Sequence, residues 1–283
     1  MATIEYMPAR LTPKETEELR QAVACLEGAS FAQRLTDAVG RPVGMLSRAM
    51  PQSARRVIGH VSETALRGAL KLALRTLDLN ASAKPANRAH KLAAAASGAV
   101  GGALGLAALP FELPISTTIL LRSIAEIARE EGEDLSAPEA AFACVEVFAL
   151  GGQGGGESAF ESGYFTVRAA LAKSVSDSAR FVAAQGVAAL PAPVVARLIS
   201  QIAARFGMVV SEKVAAQAAP ILGAIGGAAV NAAFADHFQT LARGHFIVRR
   251  LDRQHGASVV AFEYQRLQGE RVREHAEGRR AAS

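Results

Sequence analysis

The chain has 283 residues, half of them hydrophobic, yet only 5% are aromatic and none is Trp. Its apolar mass is carried by Ala, Leu, Val and Gly, so its elements must approach one another closely instead of filling space with rings. A charged share of 20% beside that much apolar mass excludes a disordered chain, and collagenous, mucin-like and disulfide-scaffold classes are excluded by composition.

The formal charge of +5 is uneven: from Arg243 to the end there are nine Lys or Arg against five Asp or Glu, leaving +1 for the first 242 residues. A nucleic-acid binder would interleave basic side chains with rings, and Phe262 and Tyr264 are the only rings late in that tail. No nucleic acid is therefore expected; an anionic membrane surface or an acidic protein partner suits the charge better, and the expected partners are a membrane protein or an anionic membrane surface. The N-terminal residues MATIEYMPARLTPKETEELR hold no apolar run behind their first charges, so no secretory signal is expected and the expected compartment is the cytoplasm, with membrane association open. Cys25 and Cys144, each among apolar neighbours, read as buried reduced thiols.

In chain order, Thr12, Pro13 and Glu15 form a capping box that opens the first helix, and Ser30 with Gln33 opens a second that ends near Gly40. Pro42, Gly44 and Pro51 break the chain before a helix over Ala54 to Leu77, and Asn80 to Asn87 reads as a turn. Residues Leu92 to Phe111 carry no charge, a length of about 30 Å as a helix, enough to cross a bilayer. Their insertion energy sums close to zero once Gly, Ser and Pro are charged against Leu, Val and Phe. The spacing Gly98-x-x-x-Gly102 and Gly101-x-x-x-Gly105 instead predicts a small-residue face, for which Gly223-x-x-x-Gly227 offers a match, and the two stretches are expected to pack together in a helical core.

Pro110 to Pro114 predicts a break before a helix over Ile115 to Glu131 that stops at Gly132, after which Ser136 and Glu139 cap a helix to Leu150. Gly151 to Gly156 read as a flexible connector. Helices follow over Ser158 to Ala184, Val194 to Phe206, Val209 to Gln217 and, after the uncharged run Val214 to Ala235, on to about Val248. The alternation from Ser258 to Tyr264 would allow one short strand, which has nothing to pair with, so the expected fold is all-α: residues 1–256 as a helical domain and 257–283 as a basic, partly disordered tail.

Two runs, LPFELPISTTILLRSIAEIAREEGEDL (109 to 135) and EKVAAQAAPILGAIGGAAVNAAFADHFQTLARGHFIVRRL (212 to 251), resemble the EcsC family, bacterial proteins named after a member encoded beside an ABC transporter. The resemblance is carried by the order of features: a Gly/Ala-rich stretch, an LP-then-Arg-Ile-Ala helix, and a closing series Pro220, Gly223, Ala224, Gly227, Asn231, Ala242, Phe246, Arg250 and Leu251. It implies a helical, cytoplasmic or membrane-peripheral protein linked to an ABC transporter, with biochemical activity unassigned. Some members are labelled hydrolases.

No G-x-S-x-G, H-E-x-x-H or G-K-[ST] motif supports a hydrolase. The candidates for a carboxylate/His site are Glu146, alone in an apolar run, and Asp236, His237 and His245; the two His stand about 80° apart around a helix and cannot chelate one ion unaided, so no metal and no cofactor is expected. Glu157 and Glu161 read as first-turn acids that suit a helix dipole. Arg122, Glu126 and Asn231 are the expected polar network of the core: Arg122 reaching Glu146 or Asp236, and Asn231 making an interhelical hydrogen bond. The expected function is that of an accessory protein without enzymatic activity; the alternatives are the hydrolase and a lipid-binding helical module.

Overall fold

The structure, a computed structural model, describes residues 11–40, 42–76, 108–152, 163–186, 192–218 and 223–281. Among these the chain is all-α, in ten helices: α1 (Pro13–Leu26), α2 (Phe31–Val39), α3 (Val43–Arg48), α4 (Gln52–Thr76), α5 (Leu109–Glu130), α6 (Pro138–Leu150), α7 (Tyr164–Gln185), α8 (Pro193–Gln217), α9 (Gly223–His255) and α10 (Ala257–Ala281). Two compact units are formed: Ala29–Ala242, and Met1–Gly28 with Arg243–Ser283. Gly98, Gly102 and Gly105, the turn over Asn80 to Asn87, Glu157, Glu161 and Pro220 lie outside the described residues.

Side-chain caps open the first two helices. Thr12 and Glu15 close the capping box of α1, and the Ser30 hydroxyl accepts the Gln33 amide to open α2. Gly132, at φ +78°, ends α5 in a conformation other residues rarely adopt. Several boundaries differ from expectation: α3 forms where a break was expected, and α9 runs to His255 instead of about Val248. Helix α5 begins at Leu109 and runs through Pro114, giving up the one hydrogen bond that the Pro110 carbonyl would have accepted from that position. Helix α6 has Ala137 at its N-cap, and Ser136 is occupied instead by the Asp134 carboxylate, to which its hydroxyl donates at 2.6 Å. Helix α8 continues through Gly207, which faces α4: a Cβ there would stand in ordinary contact, 4.0 Å from the Gly59 Cα and 3.8 Å from the Ser62 hydroxyl.

In the unit Ala29–Ala242, α4 packs on α5 and α8, and α6 packs on α7 and α8, while α2 and α3 lie against α8. Five of the rings are gathered at one point. Phe148, Phe206, Phe234 and Phe238 stack at centroid distances of 4.9 to 6.0 Å, with Phe31 of α2 at 5.6 Å from Phe234. Close approach takes over around that cluster. A Cβ on Gly152 would come within 2.8 Å of the Arg205 carbonyl, a backbone atom that cannot swing aside. Gly152→Ala is therefore expected to cost about 1–3 kcal/mol, read as a lower midpoint in thermal melts, and an unchanged melt would show that α8 gives way.

The other unit joins α1 to α10 and the end of α9. Val260, Tyr264 and Leu267 are buried at helical spacing, and the Tyr264 hydroxyl donates to Glu27 at 2.9 Å. The Ser258 to Tyr264 alternation thus belongs to a helix, and the strand is not formed: Gly256, at φ +87°, ends α9 and starts α10 directly. Arg250 pairs with Glu18 at 2.9 Å and His255 with Glu15 at 2.8 Å, tying the first half of α1 to the end of α9, while Arg271 donates to the Val23 carbonyl near its other end. Cys144 is buried, whereas Cys25 is only half-buried; neither is in a disulfide.

Candidate functional site

Two helical stripes that should be wholly apolar each contain one charge. On α8 the series Ile202, Phe206 and Val210 continues into Lys213, and on α5 the series that begins with Leu109 places Glu112 ahead of Leu113, Ser116 and Leu120. The fold brings the two together. The Lys213 ammonium lies 2.6 Å from Glu112 Oε1, with side chains 0% and 5% exposed. Asn231 of α9 donates to the same oxygen at 3.0 Å, and the ammonium sits 4.8 Å from the Phe234 ring centre, over its electron-rich face. Burial pushes the Lys213 pKa down, while Glu112 opposes that through its charge and its hydrogen bond. The pair joins α5 and α8, and Asn231 adds α9.

Neither Glu112 nor Lys213 was among the residues singled out from sequence, although each occupies a position where helical spacing calls for an apolar residue. Asn231 does make the expected interhelical hydrogen bond, to Glu112. Arg122 does not enter the core: it is exposed on the outer face of α5, and Glu126 one turn on is half-buried. The core cation is Lys213 because its stripe faces inward and that of Arg122 does not. Of the glycines, Gly223 starts α9 and Gly227 is buried within it.

The carboxylate and His candidates are distributed as follows. Glu146 is buried in α6, 3% exposed. His237, 5% exposed, packs between Phe31 at 5.2 Å and Phe238 at 5.2 Å. Burial holds its pKa down at about 4, with the Arg34 charge adding to the shift and the Gly151 carbonyl and Asp236 opposing it, so the ring is neutral near pH 7. Asp236, beside it in sequence, points outward to Arg34 at 3.7 Å, with a side chain 46% exposed. His245 is fully buried in the other unit, edge-on to Phe246. No group of three or more His, Cys, Asp or Glu that could hold a metal occurs among the described residues.

A further carboxylate titrates near neutrality. Glu212, next to Lys213, is half-buried against the start of α2, and burial pushes its pKa up to about 7 against the Ala32 amide and the Arg48 charge, both of which favour the ionised form. Helix α2 is therefore bordered by two groups with displaced protons, Glu212 of α8 and His237 of α9.

One described helix, Pro193–Gln217, is long and apolar enough to cross a membrane, although 44% of its most apolar window is buried inside the protein and it carries Lys213. The family model described as the EcsC protein family matches residues 5–251. Neither the curated proteins nor the solved structures contain a match to the chain.

Proposed function

The chain belongs to the EcsC family, and we propose on that premise that it serves as a non-enzymatic accessory protein of the bacterial cytoplasm, held peripherally at a membrane surface beside a membrane protein of ABC-transporter type. The link to a transporter rests on the family. The observation that carries the peripheral reading is the exposure of large apolar side chains on a basic chain: Phe111, Met45, Phe262 and Val272 each stand mostly in solvent, against a net charge of +5. Apolar tips with surrounding cations suit the boundary between headgroups and acyl chains of an anionic bilayer. The ionisable groups of the interior favour a role without chemistry, since Glu112 is committed to Lys213, and Glu146 and His237 are closed to solvent. The packing of α8 on α3, α4, α6 and α7 favours a core helix over a spanning one.

Flotation of the full chain with vesicles of phosphatidylcholine, alone or mixed with phosphatidylglycerol, tests this at low and high salt. The expected result is flotation that needs the anionic lipid and is lost in high salt, since the attraction is screened within a Debye length of about 10 Å at 0.1 M. Flotation with neither lipid would remove the peripheral reading, and salt-resistant binding to neutral vesicles would replace it with insertion.

A further inference from the structure

We propose that the chain docks on an anionic bilayer through one end of the Ala29–Ala242 unit, the end formed by α3 and by the first turns of α4 and α5; the proposal rests on the peripheral reading and names its surface. Helix α8 supplies the ruler. Its adjacent residues Glu212 and Lys213 lie at one level, about 1.5 Å apart along the axis. Glu212 is close enough to the end of α3 to feel the Arg48 charge, and Lys213 holds Glu112 in the first turn of α5. The end of α3 and the start of α5 therefore both lie near the C-terminal part of α8, on which α3 packs.

Helix α4 starts there too. The Arg55 guanidinium donates to the Arg48 carbonyl, tying the first turn of α4 to α3. Gly59, further along α4, meets Gly207, which lies about 8 Å before Glu212 on α8, so α4 leaves this end and runs back along α8.

What this end shows to solvent is apolar and basic. Phe111 and Ile115, four apart on one face of α5, are 78% and 55% exposed, and Met45 on α3 is 69% exposed. Leu46 and Val57 are exposed as well. Arg48, Arg55 and Arg56 stand among them, and the sequence contains no Asp or Glu from residue 38 to residue 62. The only acid of the first turns of α5, Glu112, is turned inward to Lys213. In sequence, the uncharged stretch Leu92 to Ala108 leads directly to Phe111.

The occupant is chosen by that combination. Nucleic acid would use rings to stack bases, and Phe111 is the one exposed ring of this end among the described residues. A bilayer with anionic headgroups takes protruding Phe, Ile, Met and Leu into its interface while arginines stay at headgroup level. The uneven charge of the sequence points to the C-terminal residues as the membrane contact, and α10 does expose Phe262 and Val272; but Arg266, beside Phe262 on that helix, is already bound to Glu263 at 2.8 Å and also to Glu270.

Because the chain has no Trp, single reporters can be placed at exposed positions without background. Met45→Trp, Phe111→Trp and Phe262→Trp would be titrated with vesicles of phosphatidylcholine, alone or mixed with phosphatidylglycerol, after circular dichroism has shown the same helicity as the parent. Emission is expected to shift to the blue at positions 45 and 111 with the anionic vesicles only, and to stay unchanged at 262. Adding Arg55→Glu and Arg56→Glu to the Phe111→Trp chain should weaken partitioning about tenfold or more. Binding accompanied by a shift at 262 and none at 45 or 111 would overturn this surface and leave the peripheral reading standing. Absence of binding by every chain to every vesicle would overturn both, and would leave this end to a protein partner.

Discussion

Lys213→Met is expected to destabilise the protein by about 3–5 kcal/mol, the largest effect of any single substitution considered, because it strands the Glu112 carboxylate in a site 5% exposed. The cost lies in the unpaired charge and not in the loss of attraction. Methionine fills much of the lysine volume and keeps its contact with the Phe234 ring, so packing changes little. Adding Glu112→Leu should therefore restore most of the loss, since a buried ion pair exchanged for apolar residues of similar volume is often neutral or stabilising. Asn231, deprived of its acceptor by the second change, sets the limit of that recovery at about 1–3 kcal/mol. Denaturant titration of the two single variants and the double variant gives the coupling directly. Additive losses would mean that the three groups do not act as one centre.

The second large effect concerns pH. His237 is held at about 4, below its ordinary 6.5, so the unfolded chain binds the extra proton between those values and stability falls as pH is lowered through them. Glu212 is raised from 4.5 to about 7, so the folded chain binds the extra proton and stability falls as pH is raised through that interval. Each shift corresponds to about 3 kcal/mol across its window, and the signs are opposite. Between about pH 4.5 and 6.5 the folded protein has a neutral carboxyl and a neutral imidazole where the unfolded chain has both ionised, with no net proton difference.

The two contributions should therefore cancel in the parent and appear only when one group is removed. Glu212→Gln should make the protein lose stability, relative to the parent, as pH falls from 6.5 to 4.5. His237→Leu should do the reverse, losing stability relative to the parent as pH rises over the same range. Taking each variant against the parent removes the contribution of every other titrating group. Differences that do not change with pH in either variant would contradict the burial of both sites.

Much of the fold was legible because its signals are local. Thr12 with Glu15, Ser30 and Gly132 act through atoms three or four residues away, and each marks the helix end that the sequence predicts. The misread boundaries had both local and distant causes. Gly207 looks like a break, yet α8 runs through it where α4 packs alongside, and Ser136 looks like a cap until Asp134, two residues away, takes its hydroxyl. The apparent strand had its own cause: Val260, Tyr264 and Leu267 form a helical stripe, and their neighbours happen to alternate in polarity.

The candidate site was half legible. Asn231 stood out as a polar residue within an uncharged stretch, and its hydrogen bond across helices follows from that burial. Its partner did not, because Glu112 sits between two prolines where a break was expected, and a residue in a break has no face. Once α5 is seen to run through Pro114, the spacing from Leu109 turns Glu112 inward. Lys213 follows by the same counting on α8. Arg122 fails that count, falling on the face shared by Phe111 and Ile115, which is open to solvent.

Peripheral attachment to a membrane is tested most directly by fractionating bacterial cells that produce the full chain. The account predicts that the protein sediments with membranes at low salt and is released by high salt, as expected for a basic, apolar-tipped surface on anionic lipid. Recovery in the supernatant at low salt, or retention in the membrane through alkaline carbonate, would contradict it.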